Sequence, residues 1–149
     1  MKRQIKLIIF LILLSIVLCN AASATISPEN STDNQWQTQV IDGGITGETS
    51  SIAVDSNGNP HISYQGVNGQ NDVLKYASKD STGWSIEIAD STPYSGDYSS
   101  LAIDKKNNPH ISYLAMNPDE SYSLKYATKT SSGWQTQTID TNLRREYTS

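Results

Sequence analysis

Two histidines, His61 and His110, are the side chains best suited to general-base or metal-ligating chemistry. They sit at equivalent places, each inside a Pro-His-Ile-Ser-Tyr stretch. As a pair they would hold a metal ion or move a proton. The other chemistry-bearing segment is 55–59, where Asp55, Ser56, Asn57 and Asn59 surround Gly58 with oxygen-bearing side chains, as a calcium loop does. Calcium takes about six to eight oxygens, usually with several carboxylates. This loop offers one carboxylate, and its counterpart after Asp104 carries Lys105 and Lys106, whose charge opposes a divalent ion. Each histidine also follows a turn within hydrogen-bonding reach of Asp55 or Asp104, or of Ser63 or Ser112. Both features are therefore expected to fix local geometry, with no catalytic group, metal or cofactor among them.

Aromatic residues recur as well. Trp36, Trp84 and Trp134 each open a similar segment, and Tyr64, Tyr76, Tyr113 and Tyr126 recur elsewhere. Rings in such an arrangement serve as sugar platforms or fill the space between packed sheets, and packing is the expected role. Ligand contacts are expected instead in the less regular loops 65–72, 91–97 and 115–122, with Gln65, Asn68, Tyr94, Asp97, Asn117 and Tyr122 as candidates. Asp97 and Glu48 sit at corresponding positions just before the repeat starts, and no acid–base motif is built around them in the sequence.

The elements that must position these residues come from an internal repeat. Residues 50–64 recur as 99–113, Leu-Lys-Tyr-Ala at 74–77 recurs at 124–127, and Gly83-Trp84 recurs as Gly133-Trp134. Partial copies flank these: 36–42 matches 134–140 at all but one position, and 147–149 lines up with 98–100. Within a repeat, 51–54, 60–64, 73–78 and 84–89 read as strands, with Asn57-Gly58 as turn chemistry and Pro60 tolerated at a strand start. Nothing after the first 24 residues shows helical periodicity. Four short strands in about 50 residues are the pattern of a propeller blade.

The stretch 52–59 with its return strand resembles the first hairpin of NHL-type propeller blades. The whole unit, with Leu-Lys-Tyr-Ala and Gly-Trp, resembles repeats of secreted bacterial and archaeal β-propellers, which are sometimes grouped with sialidase-like propellers. The resemblance spans 36–149 and implies an all-β, incomplete propeller. It would comprise a closing strand at 36–42, blades at 50–90 and 99–140, and the start of a third repeat at 147–149. Propellers use about 4–8 blades of four strands, so the expectation is a fragment of a larger ring. The rival is a short protomer whose copies complete a ring, and uncovered blade faces favour self-association. A sialidase-like activity implies a cluster of arginines and an Asp-box. After residue 24 the only arginines are Arg144 and Arg145, and no Asp-box spacing occurs. The chain is therefore expected not to be an enzyme. A structural surface protein, or a remnant of a glycoside hydrolase, is the alternative.

Composition sets the address. Lys2, Arg3 and Lys6 precede an apolar run at 7–18, and Ala22 and Ala24 supply small residues before a cut. This order reads as an export signal over 1–24, followed by a polar linker at 25–35 that contains an Asn30-Ser31-Thr32 sequon. An uncleaved anchor and a lipoprotein at Cys19 are the variants. Cys19 is the only cysteine, so the exported part forms no disulfide or zinc-thiolate site. Cleavage leaves 8 bases against 15 acids, a net charge of −7, which repels nucleic acid. The expected partner is an extracellular glycan or protein.

Overall fold

The computed structural model describes residues 36–44 and 46–143; the expected signal (1–24), linker (25–35) and third-repeat start (147–149) lie outside the described residues. Eight strands follow in order: β1 (Thr46–Val54), β2 (Pro60–Asn68), β3 (Asn71–Asp80), β4 (Gly83–Asp90), β5 (Ser95–Ile103), β6 (Pro109–Met116), β7 (Tyr122–Thr130) and β8 (Gly133–Leu143). They form two four-stranded antiparallel meanders, β1-β2-β3-β4 and β5-β6-β7-β8. Neither sheet closes on itself, and no helix occurs among the described residues.

Turn chemistry sets the strand boundaries. Asp55 Oδ1 accepts the amides of Asn57 and Asn59, each at 2.8 Å, and Gly58 takes φ +85°. In the second sheet Asp104 Oδ1 accepts the amides of Lys106 and Asn108, and Asn107 holds φ +64° where the first sheet has glycine. Asparagine is one of the few side chains that tolerates this region. The registers then match: Ile52 faces Ile62 and Lys79 faces Trp84 in one sheet, Leu101 faces Ile111 and Lys129 faces Trp134 in the other.

The sheets share one core. Leu74, Tyr76 and Ala89 of the first meet Leu101, Ile111, Tyr113 and Ala127 of the second, with Ala53, Ile103 and Trp134 at its margin. β5 is the strand laid against β1, β2 and β3. Small polar side chains stitch this junction. Ser95 Oγ accepts the Leu74 amide at 3.1 Å and donates to the Asp90 carbonyl at 3.2 Å. Ser51 Oγ accepts the Leu101 amide at 3.0 Å, and Ser63 donates to Ser99 at 3.0 Å.

Two expectations change. Residues 36–42, expected as a strand, carry none. A strand persists only against a hydrogen-bonded neighbour, and among the described residues the strands of each sheet pair with one another and not with this segment. The expected loop 65–72 is a tight hairpin: β2 runs to Asn68, β3 starts at Asn71, and Gly69 at φ +68° makes the turn.

Candidate functional site

The repeated polar side chains fall into two sets. In the first, a carboxylate ties one unit to the next. Asp90, the last residue of β4, accepts the Tyr113 hydroxyl at 2.6 Å and the Lys125 ammonium at 2.5 Å, so β4 is locked to β6 and β7. Asp42 does the same for Tyr64 and Lys75, each at 2.9 Å. Burial works to raise the Asp90 carboxyl, but Lys125, Tyr113 and Thr92 together hold it below the usual range. Lys75, the Gly44 amide and Tyr64 bring Asp42 down to about 2. Burial and the hydrogen bond to Asp90 push the Tyr113 hydroxyl up, so it stays a donor. The tryptophans repeat the logic: Trp84 Nε1 donates to Gln39 at 3.1 Å and Trp134 Nε1 to Glu87 at 3.2 Å. Trp134 also meets the Tyr76 ring edge-on, with centroids 5.0 Å apart. Tyr64, Tyr113, Trp84 and Trp134 thus carry packing and ties. Trp36 stands exposed.

The second set is Asp–His–Tyr. His61 Nδ1 lies 2.5 Å from the Tyr76 hydroxyl, and Nε2 lies 3.6 Å from Asp55 Oδ2. Burial, then the negative Glu87 and Asp55, push the Tyr76 hydroxyl up to about 12, so it keeps its proton beside Nδ1. His61 Nε2 is buried with no hydrogen-bond partner. It faces the Asp55 carboxylate beyond normal hydrogen-bond reach. Asp55 is already occupied. Burial would raise it, but the Asn59 amide and side chain, the Asn57 amide and His61 bring it to about 2. Its oxygens are filled by N–H donors, not arranged to surround a cation. His110 repeats the array with Tyr126 at 2.5 Å and Asp104 at 3.4 Å. Ser63, expected beside His61, pairs with Ser99 instead. No group of three or more His, Cys, Asp or Glu among the described residues is placed to hold a metal ion.

The two arrays differ in burial: the His61 side chain is 10% exposed and that of His110 37%. Tyr76→Phe is therefore expected to cost about 1–3 kcal/mol, the range for leaving a buried polar atom unpaired. Tyr126→Phe should cost clearly less, because water reaches His110. Urea midpoints of both variants test this, and equal losses would overturn it.

The concave surface of interest lies in the second sheet. A cleft of about 660 Å³ opens between the β4–β5 connection and the β6–β7 loop, walled by Pro93, Tyr94, Met116, Asn117, Pro118 and Glu120. The Met116 amide donates to the Tyr94 carbonyl at 3.0 Å and fixes one loop against the other. Tyr94 sits at φ +58° and is 49% exposed as a residue. Asn117 supports the loop: its side chain donates to Ser121 Oγ at 2.9 Å and accepts from Ser123 Oγ at 3.0 Å. Of the six loop candidates, the cleft gathers Tyr94 and Asn117. Gln65 and Asn68 belong to β2, Asp97 to β5, and Tyr122 begins β7. No family model matches the chain, and no curated protein matches it in sequence.

Asp90, Lys75 and Lys125, which hold these ties, are not among the candidates the residue types single out. Their signal was present: an aspartate follows each tryptophan by six positions, at 42, 90 and 140, and each Tyr-Ala pair is preceded by lysine.

Proposed function

We propose that this chain is an exported, non-catalytic module of propeller-type repeats that binds an extracellular glycan in the cleft beside Tyr94. The observation that carries the reading is an exposed aromatic ring held at positive φ on the wall of an open cleft. A bulky residue in that region is strained, and such strain concentrates at functional positions. A ring face beside Pro93, Met116 and Pro118 suits the apolar face of a pyranose, and the Glu120 carboxylate at the rim suits hydroxyl donors. Glycoside cleavage requires a pair of carboxylates across the bond. Glu120 is the one carboxylate residue lining this cleft, which favours binding over hydrolysis. Export rests on the leader-like pattern of 1–24, and the propeller reading on the two matching meanders.

A glycan array with the purified exported chain, followed by calorimetry on the best hit, tests the reading. Tyr94→Asn keeps a residue that tolerates positive φ and removes the ring. It is expected to weaken binding about tenfold, the worth of one stacking contact, without shifting the melting temperature. An array with no hits, or undiminished binding by Tyr94→Asn, would sink it.

A further inference from the structure

We infer that the Tyr64–Lys75–Trp84 socket of the first sheet accepts residues 137–140 of a second copy of this chain, so that copies add head to tail, and that the chain's own residues 39–42 compete for the same socket. This is independent of glycan binding. The contact that joins the two sheets within one chain is the template. There Asp90 engages Tyr113 and Lys125, and Glu87 accepts Trp134 Nε1. On the first sheet the equivalent partners are filled from within the chain, by Asp42 on Tyr64 and Lys75 and by Gln39 on Trp84. Residues 39–42 read Gln-Val-Ile-Asp, and 137–140 read Gln-Thr-Ile-Asp. The second segment therefore carries the same glutamine and aspartate at the same spacing, in β8 of the second sheet.

The faces on either side are complementary. Leu101 on β5 is 8% exposed, within the junction, whereas its equivalent Ile52 is 65% exposed and neighbouring Val54 59%. Ala89 on β4 is 3% exposed, whereas its equivalent Ile139 on β8 is 55% exposed. Tyr76 is covered by Trp134, while the equivalent Tyr126 is only half-buried. Charge is matched too. Asp140 is exposed, and the hydrogen bond shown to its carboxylate among the described residues is its own neighbour's amide. Lys75 is the cation of the socket. Seating Gln137–Asp140 on the next copy reproduces the Asp90 lock and covers Ile52, Val54 and Ile139 together. Residues 39–42 carry no strand, and the hydrogen bonds shown from them to the first sheet run through side chains, so these residues exchange without breaking a sheet ladder.

Sedimentation velocity across a concentration series tests this with the whole exported chain. Wild type is expected to associate as concentration rises. Asp42→Ala, which removes the internal competitor's carboxylate, should strengthen association about tenfold or more. Asp140→Lys should be monomeric, as should Lys75→Asp. A mixture of those two should associate, since every Lys–Asp contact between unlike copies is attractive. Circular dichroism and melting confirm that each variant is folded. Should Lys75→Asp fail to fold, Asp42→Ala and Asp140→Lys decide the matter. The inference is overturned if wild type and Asp42→Ala both stay monomeric, if Asp140→Lys associates as wild type does, or if the folded pair does not associate on mixing.

Discussion

Asp90→Ala is expected to remove about 3–5 kcal/mol of stability, the usual cost of deleting one partner of a buried ion pair. The Asp90 and Lys125 side chains are only 6% and 12% exposed. The deletion strands an ammonium and the hydroxyl of Tyr113, a residue 1% exposed, at the junction of the two sheets. Asp90→Asn keeps an acceptor for Tyr113 but loses the charge, so its loss should be smaller. The same carboxylates give a pH signature. Asp42 and Asp90 titrate lower in the folded chain than their ordinary value of 3.8, Asp42 at about 2. The unfolded state then binds more protons as pH falls, so the stabilisation from Asp42 is complete above about pH 5 and is lost between about pH 4 and 2, and that from Asp90 is likewise lost on acidification. Urea midpoints from pH 7 to 2 should show that fall, less steep in Asp90→Asn. An Asp90→Ala variant within about 1 kcal/mol of wild type, with an unchanged acid slope, would show that the tie adds little.

Strand order and turns were legible because they are local. Asn57-Gly58 announces a positive φ, and alternation marks the strands. What lay beyond the sequence is the placement of the ties, which depends on a break in register. Lys75 pairs with Ile88 but Leu74 pairs with Asp90, leaving Ala89 as an extra residue in β4. Such a bulge re-aims side chains, and here Ala89 and Asp90, consecutive in sequence, are both buried. Simple alternation would send one of them to solvent. The same shift recurs around Ile139, with Leu124 opposite Asp140 and Lys125 opposite Thr138. The fate of 36–42 was equally hidden. Its composition is that of β8, but a strand also needs a neighbour, and composition does not report one. The cleft was half legible: irregular loops pointed to Tyr94 and Asn117, while the internal hydrogen bonds that commit Asn117 to its own loop required coordinates.

Gly96→Ala is the second large effect expected, about 3–4 kcal/mol, among the sizeable losses that backbone strain and overpacking produce. Gly96 sits at a register shift in β5 with φ +98°, where a side chain is strained in any surroundings. A Cβ there would also stand 2.9 Å from Leu74 Cα and 3.1 Å from its nitrogen. Those atoms belong to the backbone of β3, so no side-chain rotation relieves the clash. Relief would separate the sheets at the point where the Leu74 amide donates to Ser95. Gly69 separates the two costs: its φ is +68° and a Cβ there meets nothing within 4 Å. Gly69→Ala should therefore lose only the conformational part, about 1–2 kcal/mol. Denaturant melts of the pair, with hydrogen exchange at the Leu74 amide, measure the difference. Faster exchange at Leu74 in Gly96→Ala alone is the expected result. Equal losses in the two variants, with Leu74 equally protected in both, would mean that the sheets do not meet as closely as Gly96 requires.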